Sequence, residues 1–187
     1  DHTPSAGASR IPWHISGLAA VSGAATLGIE VAASRLFAQV FQNSVYTFAI
    51  VLVVFLLTLA AGAFLASHLA ARARQPWFVL GAFALGAGVF IASVPLTFFH
   101  ATNGLQLLAP GEGWAAYVAA AFALAFLVLA LPCTIAGVVF PFLLRIADAP
   151  GMRLERVLGT LGAWNTVGAI AGSATTGFVL LPALGLW

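Results

Sequence analysis

SVYTFAIVLVVFLLTLAAGAFLASHLAA, from Ser44 to Ala71, contains no Asp, Glu, Lys, Arg or Pro. A bilayer hydrocarbon core of roughly 30 Å is crossed by about 20 apolar residues in an α-helix, so this stretch spans it with residues to spare. Applied outward from there, the same test predicts spans at 12–40, 44–71, 76–99, 113–146 and 156–186, behind a polar tail at 1–11. The fold class is therefore an all-α integral membrane protein, a bundle of about five transmembrane helices occupying 12–187.

The whole composition agrees. Hydrophobic residues make up 62% of the 187 and charged ones 6%, against roughly 25% charged in soluble domains. The mean hydropathy of +1.07 points the same way. The basic balance is a net charge of only +2, too small for a phosphate-binding stripe, so nucleic acid is not an expected partner and membrane lipids are. Cys133, the single cysteine, can form no internal disulfide. The start, Asp1-His2-Thr3-Pro4-Ser5, lacks the basic n-region of a signal peptide and reads as a cytosolic tail or a trimmed start.

Charge and aromatic placement give the topology. Trp13, Trp77, Trp114 and Trp187 fall near span ends, as an interfacial aromatic belt requires. Arg10, Arg72, Arg74, Arg145, Arg153 and Arg156 occupy the tail and loops of one side. The opposite loops, near Gln42 and from His100 to Gly113, carry no arginine, so the positive-inside rule predicts a cytoplasmic N-terminus and Trp187 outside. Pro12 and Pro76 suit first helical turns. The loop around Asn103, Leu105, Gln106, Leu107, Leu108 and Glu112 reads as a short amphipathic turn lying on the membrane.

Candidate functional residues are those that break the apolar pattern. Glu30 and Arg35 sit inside the first span, where an ionisable group is expensive and usually faces a partner within the bundle. They admit three readings: a structural ion pair or clasp, a substrate or proton site, or contact with a partner subunit. On the fifth span Asn165, Ala169, Gly172 and Thr176 share a stripe, Gly168 and Gly172 form a GxxxG step, and Thr166 adds a hydroxyl. The first span offers a matching stripe in Ser16, Ala20, Ala24, Gly28 and Ala32, so close packing of these two helices is expected, with oligomer formation as the alternative. Pro132 and Pro141 within the fourth span imply either a packing kink or a broken helix lining a site, with Thr134 placed to recover a lost backbone bond. His14 and His68 lie at span ends without the paired in-bundle histidines of haem b proteins, and His100 with Glu112 is a weak metal pair. No nucleophile triad, Walker loop or metal motif is present, so no catalytic, metal or cofactor site is expected.

The first span, GLAAVSGAATLGIEVAASRLFAQVFQNS, with Glu30 followed by Arg35-Leu36, resembles the opening helix of the membrane-embedded spermidine synthase-like proteins of bacteria, the fused major-facilitator/spermidine synthase type. Gly62 through Arg74 resembles that family's glycine-rich helix end and basic loop, and Leu131-Pro132 to Phe140-Pro141, ending in Arg145, resembles its fourth helix. LGTLGAWNTVGAIAGSATTGFVLLPALGL is similar to its most specific signature at Gly162, Asn165-Thr166, Gly168, Gly172, Leu181-Pro182 and Leu184-Gly185. The resemblance implies the bacterial inner membrane and, in typical members, a following soluble aminopropyltransferase-like domain. That domain is not in these 187 residues, so its chemistry is not assigned to them, and the chain reads as a fragment of a longer protein or as a subunit. The loop after the second span also lacks the aspartate of the major-facilitator loop motif. The expected function is a noncatalytic membrane-integral domain or subunit that anchors and packs against a partner domain or complex. A half-bundle moving a small, cationic solute such as a polyamine is the alternative, and a membrane enzyme on a lipid-soluble substrate ranks third.

Overall fold

The computed structural model describes residues 11–41, 45–106, 113–148 and 153–184. Arg10, Gln42, Leu107, Leu108, Glu112, Gly185 and Trp187, and the expectations that rest on them, lie outside the described residues. The helices are α1 (Trp13–Ala38), α2 (Val45–Arg72), α3 (Pro76–Ala101), α4 (Trp114–Ala147) and α5 (Leu154–Thr175). A π-helical turn (Thr176–Leu180) and a short α6 (Leu181–Leu184) complete the fifth span. Five helical segments are thus long and apolar enough to cross a membrane. Helix is the form such sequences must take, because hydrocarbon offers no partner for a free N–H or C=O.

Side-chain hydroxyls obey the same rule. Thr58 Oγ1 donates to the Val54 carbonyl at 2.9 Å, Ser93 Oγ to Phe90 at 2.7 Å and Thr166 Oγ1 to Gly162 at 2.9 Å. Each polar group is satisfied by its own helix and can therefore sit at any depth.

Packing is organised in pairs. α1 makes its most extensive contact with α5, α2 with α4, and α3 lies on α4. Toward one end of the bundle Phe37, Phe41, Phe55, Phe98 and Tyr117 form an aromatic core, with the Phe37 and Phe98 rings 4.8 Å apart. Toward the arginine-rich end Ile15, Leu80, Phe142, Leu143, Val157 and Leu161 form the other core cluster.

Local details depart from the sequence reading. Pro76 takes the first position of α3, whereas Pro12 is the residue before α1 and its carbonyl accepts the Ile15 N–H at 3.0 Å. α4 runs unbroken through both Pro132 and Pro141, so the broken-helix expectation is not met, and the Thr134 hydroxyl makes no hydrogen bond among the described residues. The irregular backbone lies in the fifth span instead. The Leu181 N–H reaches back to the Thr176 carbonyl, a five-residue step directly before Pro182. Proline has no N–H and its ring crowds the carbonyl four residues earlier, and the widened turn accommodates both. After α3 the described residues form a tight turn, where Asn103, Gly104 and Leu105 all have positive φ and the Leu105 N–H donates to Thr102 Oγ1 at 3.1 Å.

Candidate functional site

The residues that break the apolar pattern separate into three places. First comes the α1–α5 seam, where the expected stripes meet. Gly168 lies against the Ala20 carbonyl and Gly172 against the Ala24 backbone, each so close that a Cβ has no room. Gly23 is likewise seated on the Asn165 carbonyl, and a Cβ on Gly28 would stand 2.8 Å from Thr176 Oγ1. From Ala20 to Gly28 the two helices keep one register and run parallel. Small residues permit this approach, and close backbones gain dispersion contacts that a bilayer cannot supply through the hydrophobic effect. Beside the seam an apolar groove of about 650 Å³ opens between α1, α3 and α5, with Gly172 and Thr176 in its wall.

Glu30 and Arg35 form the second place. Both line a cleft of about 390 Å³ between α1 and the start of α2, with Ser34 and Thr47. Glu30 is half-buried and Arg35, in the last turn of α1, is exposed. Among the described residues Glu30 and Arg35 are not within ion-pair distance of each other. The ion pairs among the described residues are Arg145 with Asp148 at 3.8 Å and Arg153 with Glu155 at 3.5 Å, both at the other end of the bundle. Five positions separate Glu30 from Arg35, which turns them about 140° apart around the helix and hinders direct contact. Thr176 thus lines one cavity and Glu30 another, while Pro132 is buried within α4. A single path lined by all of these residues together with Asn165 is not what the clefts describe.

The third place is the outer side of α5. Thr166 does not join Asn165 at the seam but points outward, exposed, on a face with Gly159, Gly162 and Ala163. Nothing lies within 4 Å of where a Cβ on Gly159 or Gly162 would be. One turn beyond Thr166 the exposed Ile170 interrupts the small residues, and the Ser173 Oγ donates to its carbonyl at 3.0 Å.

Several contributors escaped the sequence reading. Gly62 and Gly137 build a second close approach, Gly62 against the Thr134 carbonyl and Gly137 with its Cβ position 2.7 Å from the Leu59 carbonyl. Their signal was present as lone glycines inside apolar runs, where glycine otherwise weakens a helix. Gly23, one step off the expected α1 stripe, and Ser34 were also missed. His14 sits between Trp13 and Trp77, ring centroids 6.2 and 6.4 Å away, and His68 packs at a tilt against Phe64 at 4.5 Å. Among the described residues no three His, Cys, Asp or Glu side chains converge as a metal site.

These features define an all-helical, multi-pass membrane bundle built on glycine seams, with one charged cleft and one uncovered small-residue face. Compared with protein-family models, curated proteins and solved structures, the chain matches none.

Proposed function

We propose that this chain is a noncatalytic membrane-integral domain or subunit that packs against a partner helix through the outer face of α5. The observation carrying this reading is the face formed by Gly159, Gly162, Ala163 and Thr166, small residues ahead of the exposed Ile170, with open space at Gly159 and Gly162 where the seam on the opposite side of the same helix has backbone in contact. Lipid-facing helix surfaces do not require small residues, whereas helix–helix interfaces are enriched in them. The fifth span is also among the least covered, with 17% of its apolar window buried. The likeness of Gly162, Asn165-Thr166, Gly168 and Gly172 to the spermidine synthase-like signature is consistent with a membrane region working beside a second domain.

In the orientation that fits this reading, Arg72, Arg74, Arg145, Arg153 and Arg156 face the cytoplasm of a bacterial inner membrane and the N-terminus lies inside. Gentle extraction followed by native mass spectrometry tests the proposal. A stoichiometric companion, whether another chain or a second copy, supports it, and a chain that runs alone and intact refutes it.

A second reading rests on the Glu30 cleft. A carboxylate placed within a span and lining a cavity suits a solute site, and a cationic solute such as a polyamine is the simplest match to Glu30 alone. Loss of uptake in Glu30→Gln with assembly preserved would favour it over anchoring.

A further inference from the structure

We propose that the cleft lined by Glu30, Ser34 and Arg35 binds a small zwitterion whose ammonium and carboxylate ends are separated by a short methylene chain. This goes beyond anchoring, since the cleft belongs to α1 and α2 and the docking stripe to α5; it rests only on the cleft being open to solute.

Two opposite charges line one cavity of about 390 Å³, yet neither takes part in an ion pair among the described residues. That volume falls within the range of small-molecule sites, roughly 300–1,000 Å³. Charges held at membrane depth normally find partners, and here each is offered to the cavity instead of to the other. A dication such as a polyamine would satisfy Glu30 and be repelled by Arg35. A simple carboxylate would satisfy Arg35 and be repelled by Glu30. A molecule carrying both signs, ammonium toward Glu30 and carboxylate toward Arg35, neutralises both at once.

Geometry sets the length of that molecule. Five helical steps place the two side-chain origins about 7.5 Å apart along the axis and about 140° apart around it, so Glu30 and Arg35 flank the cleft from opposite edges and their side chains must reach inward to a ligand lying along it. Both Cβ atoms lean toward the N-terminus, so the offset carries into the side chains. Between them the wall is apolar, from Leu27, Val31 and Phe48, which suits methylenes rather than hydroxyls. Ser34 adds a hydroxyl beside Arg35. Because Arg35 occupies the last turn of α1, the carboxylate end lies nearest water and the ammonium end lies deeper.

The test uses the full chain in phosphatidylcholine nanodiscs and equilibrium binding of ε-aminocaproate, with γ-aminobutyrate as a shorter zwitterion, cadaverine as a dication and caproate as an anion. The expected result is that ε-aminocaproate binds at least tenfold more tightly than each of the other three. Glu30→Gln and Arg35→Gln, each checked for intact helix content and gel-filtration behaviour, should each weaken it at least tenfold. Absence of ε-aminocaproate binding overturns the proposal, as does equal binding of cadaverine or unchanged affinity in both variants. Selectivity in the unaltered chain decides the matter even if a variant fails to fold. A chain that still co-migrates with its partner while ignoring ε-aminocaproate refutes this inference and leaves the anchoring reading standing.

Discussion

The two sides of α5 carry the same kinds of residue and meet different surroundings. On the inner side Gly168 and Gly172 touch the backbone of α1; on the outer side Gly159 and Gly162 have nothing within reach of a Cβ. Inner glycines are explained by the neighbour they admit. Outer ones carry the helix-weakening cost of glycine, up to about 1 kcal/mol each relative to alanine, without a neighbour among the described residues to offset it. The difference teaches that small residues in a membrane helix are informative mainly when their surroundings are known.

The largest expected effect lies on the inner side. Gly168→Leu would place a branched side chain where the Ala20 backbone stands, so α1 and α5 must separate; a loss of about 3 kcal/mol or more is expected in a detergent unfolding curve. Retention of full stability would show that the seam is not what joins the two helices. Gly137→Val tests whether the α2–α4 approach has the same character. Its Cβ would meet the Leu59 carbonyl and Cα at 2.7 and 3.0 Å, so a loss of about 1–3 kcal/mol is expected in the same assay.

Gly162→Leu inverts the expectation. Open space receives the side chain, so the bundle should unfold as before while the companion seen in native mass spectrometry disappears. Smallest of all is Gly17→Ala, on α1 in open space away from both seams, where a gain of up to about 1 kcal/mol from helix propensity is expected with association unchanged. If Gly17→Ala and Gly162→Leu behave alike in association, the outer face of α5 has no special role.

Much of this architecture was legible in the sequence because the bilayer imposes a single rule. A run such as Ser44–Ala71 must be helical, and its length fixes its ends within a turn. The α1–α5 seam was legible too, since Ala20, Ala24 and Gly28 fall on one stripe and Gly168, Gly172 and Thr176 on another. Rotation was harder to read. Asn165 and Thr166 are adjacent in sequence, yet one turns to the seam and the other outward, and only the actual packing of α5 decides which is which. Pro132 misled for a related reason. A proline in the fourth span left a packing kink and a broken helix both open, and α4 absorbs it as continuous helix, whereas the irregular backbone is the π turn that precedes Pro182. Glu30 and Arg35, five positions apart and so on adjoining faces, both line the cleft, and which of their three readings holds is decided by what that cleft meets.

The most direct test of the outer-face claim is cysteine cross-linking in intact membranes. Thr166→Cys on the outer face of α5 is compared with Leu57→Cys on the exposed side of α2, the native Cys133 being fully buried. The account predicts that Thr166→Cys is captured by a short homobifunctional thiol reagent or by a cysteine on the companion found in native mass spectrometry. It also predicts that Gly162→Leu abolishes the capture and that Leu57→Cys gives none. Equal capture at both positions, or none at Thr166 in membranes where the companion is present, would contradict it.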